Sequence, residues 1–383
     1  MESQPKIFHP KERVVPFGKD MMTERGLEAY QGMLFPDLSE DQFVEKLKGG
    51  VLDIGSGASV FAVEAQAKYK DLAGKICSID VQDWSKIEKG RERSVDCAVF
   101  PGFYENRGWY DIKRENPEEY DEVAHEKVRS TYKNTYNAAI KNKEGYIHAY
   151  AQALPFKDDS FSEAVTNFGP IYYMGETRQS SSGLLNQLKA TRSALLIISE
   201  MIRVVKPGGE VRITPLYSLE SFEKGNVSMF SYAFHPSFHK FLTEALKKGN
   251  FSNPKIVSYS EEIRKQAMDK SIAWVTVIEK PEAQSDQNQA FDEAIEALSS
   301  QIEELAREEQ VINNIEEEIV QLRERRSECH EKRDKLKLKK GLDYTGEDVD
   351  AINKKIDEML TQIREKEKEA EVLKARLREK DNR

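Results

Sequence analysis

Cysteine is scarce in this chain. Cys77, Cys97 and Cys329 are the whole complement, set far apart, with no CxxC pair and no even set at disulfide-framework spacing. A reducing compartment is expected. No apolar run approaches the ~18 residues a membrane span needs, and the opening segment, MESQPKIFHPKERVVPFG, lacks the basic-then-apolar pattern of a signal segment. A cytoplasmic protein without a membrane partner is the expectation. Positive charge is also in deficit. The formal net charge of −9 excludes holding nucleic acid by bulk charge, because that mode needs a basic surface.

Glycine, proline and aromatic residues are nearly missing from one end of the chain only. Residues 1–282 carry almost all of them, whereas the last ~100 of the 383 residues are dominated by Glu, Lys, Arg, Ile and Leu. A globular domain over 1–282 followed by a helical region over 283–383 is expected.

Within the globular part, the first ~30 residues, a mixture of Pro, Lys, Arg and Glu, read as an arm over the domain. LSEDQFVEKL (38–47) reads as a helix with Ser39 as N-cap and acids in its first turn. GGVLDIG (49–55) is a buried-strand pattern, VFAVEAQAKYKDL (60–72) has helix character, and GKICSID (74–80) is a second apolar strand. Strand, helix and strand in so short a span make a βαβ unit and hence a parallel sheet. Residues 82–144, rich in Tyr, Lys, Glu and Asn, break the rhythm and read as a helical insertion capping the sheet edge. Further strands are expected at 145–150, 163–169, 210–216, 255–260 and 273–280, with helices over 183–205 and 234–250. The glycines of KPGG (206–209) are expected just past the end of the first of these helices.

After the polar linker KPEAQSDQNQ (280–289), Phe291, Ile295, Leu298, Ile302 and Leu305 step by 4 and 3. The rhythm returns at Ile312, Ile315, Ile319, Leu322, Cys329 and Leu336, with Arg326 and Arg333 in the seam. GLDYTGED (341–348) interrupts it before a second stripe at Val349, Ile352, Ile356, Met359, Ile363, Ala370, Leu373 and Leu377. Heptad spacing with charged flanks is the coiled-coil signature. Two such helices joined by a turn predict an antiparallel hairpin, its second arm roughly 50 Å long, that serves as a dimerisation arm, a spacer or a dock for a protein partner.

The chemistry gathers at VLDIGSG (51–57), where a strand delivers an acid and a glycine turn to a helix N-terminus. Such a turn holds the polar part of a nucleotide-like ligand. In the dinucleotide pattern G-x-G-x-x-G, Gly55 and Gly57 fill the first two places, but Val60 stands in the third. Asp53 would also repel a pyrophosphate and suits a ligand with a cationic amino acid group. With AYAQALPFKDDSF (149–161), AVTNFG (164–169) and MIRVVKPGGEVRIT (201–214) in order behind it, the stretch resembles the class I S-adenosylmethionine-dependent methyltransferases over roughly residues 40–280.

The resemblance implies an α/β Rossmann-like fold with a mostly parallel, seven-stranded sheet, and S-adenosyl-L-methionine as cofactor. It implies that Asp53 and the backbone of Gly55, Ser56 and Gly57 face the methionine moiety, and that Asp80 accepts the ribose hydroxyls. Ala151 and Gln152 lie against the adenine, and Asn167 and Phe168 line the methyl-donor pocket. The chain departs from the family pattern in having Ser59 for a third glycine, Tyr150 for an acid, and the strand-four acid shifted to Glu163. NFGPIYYMGE (167–176) is not the Asn/Asp-Pro-Pro-aromatic turn of enzymes that methylate exocyclic amines of bases or glutamine amides. Methyl transfer from a sulfonium needs alignment above all, so no catalytic residue is named. The acidic balance favours a small-molecule acceptor over protein or RNA, with Tyr104, Trp109 and Tyr110 as either its walls or the insertion's core.

Other readings stay open. Ser59 and Tyr150 suit a degenerate fold acting as a scaffold through its coiled coil, and a nicotinamide-dependent oxidoreductase has Val60 against it. His148 reads as a packed or edge histidine. His235 and His239 share a helix face but lack further ligands for a metal, and Cys329 with His330 reads as seam filler.

Overall fold

β1 (Val51–Ile54) is buried along its whole length, as its unbroken apolar run with one acid requires of a central strand in a two-sided sheet. In this computed structural model, which describes residues 26–57, 60–81, 146–171, 184–216, 237–266, 274–282, 287–340 and 346–381, it pairs on both sides. β2 (Ile76–Asp80) lies parallel on one edge and β4 (Phe161–Asn167) parallel on the other. β3 (Tyr146–His148) extends the sheet beyond β2, and β5 (Val205–Thr214) lies parallel to β4. β6 (Lys255–Ser258) and β7 (Trp274–Glu279) complete a seven-stranded sheet of order 3-2-1-4-5-7-6, in which β7 runs antiparallel to both its neighbours. This is the mostly parallel, seven-stranded Rossmann-like sheet that the resemblance implied. The arm, the insertion over 82–144, Ser59, Cys97, Tyr104, Trp109, Tyr110 and His235 fall outside the described residues, save for the arm's last few positions.

Those last positions correct the reading of an arm. Residues Leu27–Leu34 form α1, and Leu27, Ala29, Tyr30, Met33 and Leu34 are buried. Gly26 offers its helix no side-chain cap. Glu64 of α3 (Val60–Lys68) supplies one instead, accepting the Leu27 amide at 2.7 Å and satisfying an N–H that helix ends leave orphaned. α2 (Glu40–Lys48) starts as expected: Ser39 and Gln42 form a reciprocal capping box.

α4 (Leu184–Val204) adds to the core, with Leu195, Ile197, Ile198, Met201 and Ile202 all buried. The strand begins at once after it, so KPGG is not a helix stop. Val205 already pairs with Phe161, the register resumes at Glu210 opposite Glu163, and the segment between bulges out of β5. Gly208, at φ +74°, makes that excursion possible. Its amide donates to the Lys280 carbonyl, and Lys280 in turn donates to Gly209.

At the starting edge of β4 and β5, ions take the place of packing. Arg212 is 1% exposed and donates to the Leu34 carbonyl (2.7 Å), Asp37 (2.8 Å) and Glu210 (2.7 Å). Lys46 of α2 pairs with the fully buried Glu163 at 2.7 Å and with Glu210 at 3.3 Å. Burial pushes the Glu163 carboxyl up to about 7, against the pull of Lys46 and Arg212. The acid displaced from the family position thus serves the tie between α2 and the sheet. Arg212 also lies 4.8 Å over the Phe35 ring.

α5 (Phe238–Lys248) and the short α6 (Glu261–Gln266) precede two long helices, α7 (Gln287–Lys340) and α8 (Glu347–Asp381). The described residues divide into two compact units, one within Met1–Ser182 and Asn186–Ala297, the other within Gly183–Leu185 and Leu298–Arg383. In the first, Phe291 at the head of α7 is 1% exposed and meets Phe251 edge-on at 6.4 Å. The first step of the heptad stripe therefore completes a globular core.

In the second unit the helices pair antiparallel, since Glu316 meets Lys374 at 2.8 Å while Arg323 meets Glu367 at 2.6 Å. Ile315, Ile319, Ile363 and Ala370 close the apolar seam with Leu322 and Leu373, and Arg326, Cys329 and Arg333 are half-buried further along. No described helix is long and apolar enough to cross a membrane.

The buried ionic cluster sets an expectation. Arg212→Ala leaves Glu210 and Glu163 with Lys46 alone to share between them and Asp37 without its partner, and the loss in a denaturant titration should be roughly 3–5 kcal/mol. Arg212→Met, which keeps the volume, should lose stability as well, because the buried acids remain.

Candidate functional site

The strand order reverses direction between β1 and β4, and in open α/β sheets such a switch opens a crevice at the carboxyl ends of the strands. Every residue picked from the sequence stands on that edge. Asp53, Gly55, Ser56 and Gly57 lie at the end of β1 and in the turn after it, and Asp80 closes β2. Ala151 and Gln152 lie in the turn after β3, while Asn167 and Phe168 end β4 and begin its loop.

Two glycines set the floor of the crevice. Gly55 has φ +72°, and a Cβ there would stand 2.6 Å from Pro170 Cδ and 3.0 Å from Gly169 Cα. A Cβ on Gly169 would in turn meet the Ile54 carbonyl at 2.7 Å. The loops after β1 and β4 therefore touch backbone to backbone, a closeness only glycine permits. Gly169 was not singled out in the sequence; its signal is the Asn-Phe-Gly-Pro run at the end of a strand.

The turn's own amides are spent on holding it. Gly55 and Ser56 N–H both donate to the Ile79 carbonyl, at 2.9 and 3.1 Å. Gly57 N–H donates to Asp80 Oδ2 at 3.0 Å, so Asp80 fixes the turn from the next strand. The Ala149 amide donates to the Asp80 carbonyl at 3.0 Å, which ties the following turn to the same point; Ala151 there is buried and Gln152 half-buried. Beyond it, Arg203 of α4 donates to the carbonyls of Leu154 and Phe156 and to Asp158, and Glu200 accepts the Leu154 amide. The loop after β3 is thus clamped from α4, a contact between segments that no local pattern signals. His148 is exposed, with its ring Nε2 2.8 Å from the Val81 carbonyl, an edge position as expected.

Asp53 is the electrostatic centre. It is fully buried, and Tyr30 of α1 donates its hydroxyl to Oδ1 at 2.9 Å. Oδ2 has no hydrogen-bond partner among the described residues. Burial pushes the carboxyl up to about 7, the Tyr30 hydroxyl pulls it down, and the negative charge of Asp80 pushes it up again. Beside it, Asn167 is 5% exposed, its amide nitrogen lies 3.8 Å from the Met33 sulfur, and its Oδ1 is also without a partner among the described residues. Buried acceptors without donors are costly, and each calls for an explanation. Here both stand at the crevice, where a ligand carrying donors or a cation would satisfy them.

Phe168 holds φ +50°, a conformation that costs a bulky residue of order 1–3 kcal/mol, with its amide tied to the Thr214 carbonyl at 2.6 Å. Tyr30 went unnoticed in the sequence because it falls at the end of the segment read as an arm, and Met33 because no element was expected between that arm and Leu38. The apolar spacing of Leu27, Tyr30, Met33 and Leu34 is the helical signal that marks them.

No protein-family model and no curated protein matches the chain. Among solved structures it is similar to a SAM-dependent methyltransferase from Thermotoga maritima, with 13% identity, 66% of this chain and 92% of that one covered, and a TM-score of 0.29. It is similar also to the N-methyltransferase NodS from Bradyrhizobium japonicum, at 13% identity, 62% and 93% coverage and a TM-score of 0.28. A SAM-dependent methyltransferase from Methanosarcina mazei has 16% identity, 64% and 98% coverage and a TM-score of 0.28. At such scores these likenesses add nothing to the sheet order itself, on which the fold assignment rests.

The glycine contact is open to test. Gly55→Ala should cost upwards of about 1 kcal/mol in thermal or denaturant unfolding, since the backbone angle and the Pro170 contact both oppose a side chain. Gly74→Ala, where a Cβ meets nothing within 4 Å although φ is +69°, isolates the backbone share.

Proposed function

We propose that the chain is an S-adenosylmethionine-dependent methyltransferase, and that the crevice at the β1/β4 switch is its cofactor site. The observation that carries this reading is the buried Asp53 carboxylate with one unpartnered oxygen, placed where a strand-end acid meets a glycine turn. A buried carboxylate in search of a donor suits an ammonium group and repels a phosphate, which favours S-adenosylmethionine over a dinucleotide.

The residues fit that group. Asp53 and the Gly55–Gly57 turn face the methionine moiety, Asp80 accepts the ribose hydroxyls, and Ala151 and Gln152 lie on the adenine. Asn167 and Phe168 wall the methyl-donor end. S-adenosylmethionine supplies an electrophilic methyl on its sulfonium. The chain's task is to align an O, N or C nucleophile with it, and a catalytic base is required only where the acceptor must lose a proton. The acidic balance of the chain favours a small-molecule acceptor.

In this reading residues 1–282 form the catalytic domain, with 82–144 as its cap, and 283–383 form an arm whose first turns are borrowed by the globular core. The hairpin is then a device for self-association or for capture of a protein partner, since polar seam residues such as Arg326 and Arg333 fix register at a cost in stability.

Calorimetric titration with S-adenosylhomocysteine tests the cofactor assignment. Micromolar binding is expected, and Asp80→Ala should abolish it, because both the ribose acceptor and the anchor of the Gly57 amide are removed. Absence of binding by the unaltered protein would refute the assignment and favour the scaffold.

A further inference from the structure

α1 brings Tyr30 to the site from outside the segment that carries the recognised motifs. We propose that Tyr30 is a positioning residue of the cofactor site: by donating its hydroxyl to Asp53 Oδ1, it reserves Oδ2 as the acceptor for the ligand's ammonium group. This rests on the reading of the crevice as an S-adenosylmethionine site.

Three observations carry it. The Tyr30 hydroxyl lies 2.9 Å from Asp53 Oδ1 in a fully buried contact. The same carboxylate's second oxygen is buried without a partner. The Tyr30 ring is itself fixed, stacked on Phe61 of α3 with centroids 4.1 Å apart and planes within 8°. A ring so held presents its hydroxyl at one place, and a carboxylate with one oxygen engaged has a settled orientation for the other.

A fixed donor also acts on charge. Hydrogen bonding to an ionised carboxylate favours the ionised form, and Asp53 needs that help. Among the described residues, the titratable groups within electrostatic reach are Tyr30 from α1 and Asp80 and Cys77 from β2. From β4 the register partner is the apolar Val165. Asp80 opposes ionisation, burial opposes it more strongly, and the Tyr30 hydroxyl is the donor that works for it. The proton on Asp53 therefore competes with the ligand's ammonium. With the carboxyl pushed up to about 7, its folded form holds the proton above the ordinary carboxylate range. Ligand affinity is lost as pH falls through that value.

The test is a titration of S-adenosylhomocysteine from pH 6 to 9 into the unaltered protein and into Tyr30→Phe, Asp53→Asn and the double variant. Tyr30→Phe keeps the ring and its stacking. The unaltered protein should bind roughly tenfold more weakly at pH 6 than at pH 8, one decade per unit below the carboxyl's midpoint. Tyr30→Phe should bind about tenfold more weakly at pH 7 and recover by pH 9, as its carboxylate needs a higher pH to ionise. Asp53→Asn should bind weakly with no pH dependence, and adding Tyr30→Phe to it should change nothing further.

A Tyr30→Phe profile that overlays the unaltered one overturns the proposal, as does a pH-independent loss that persists in the Asp53→Asn background. Both leave the cofactor assignment standing. Absence of binding by the unaltered protein at every pH overturns the assignment and the proposal together.

Discussion

β1 and β4 lie side by side and parallel, yet the chain leaves them toward opposite halves of the sheet. No helix can cover the gap between their carboxyl ends, so the backbone itself must form the floor there. That constraint explains the glycines. Gly55 and Gly169 face each other across the gap because a side chain on either would strike the opposite loop. It also explains why a carboxylate and an amide, Asp53 and Asn167, are buried at the same edge with acceptors unsatisfied. Under the proposed function, the cofactor's donors satisfy them and offset the cost of burying them.

The opposite edge of the sheet solves a different problem. There Arg212, Glu210, Glu163, Lys46 and Asp37 form a connected ionic cluster that joins α2 and the segment after α1 to the sheet. Such a cluster contributes little net stability over apolar packing but penalises any arrangement that separates its members. The chain between α1 and α2 is thereby locked in place, and α1 with it, since Arg212 also holds the Leu34 carbonyl at the helix end. Lys280 plays a similar part where the KPGG bulge leaves β5, donating to the Ile202 and Val205 carbonyls and to Asp159.

The long helices answer to a simpler rule. Over most of their length each offers an apolar stripe too narrow for a globular core and wide enough for one partner helix. Turning back on itself lets the chain be its own partner. The first turn of α7 is the exception, since Phe291 is taken into the core beside Phe251.

Features that depend on near neighbours are legible in the residues alone. The capping box at Ser39, the alternation of strand and helix, the glycine turn behind Asp53 and the heptad stripes are all written within a few residues, because each is fixed by backbone geometry and side-chain period. The residues that would stand at strand ends are legible too, and so is the edge on which Asp53, Asp80, Ala151 and Asn167 meet. What touches them is settled by contacts between segments far apart in the chain. Tyr30 reaches Asp53 across 23 positions and Arg212 reaches Leu34 across 178, and both partnerships exist because sheet order makes distant segments adjacent. The same holds for KPGG, where a local rule predicted a helix stop. Pairing of Val205 with Phe161 made it a bulge inside a strand, since hydrogen bonds to a neighbouring strand outweigh the preference of two glycines.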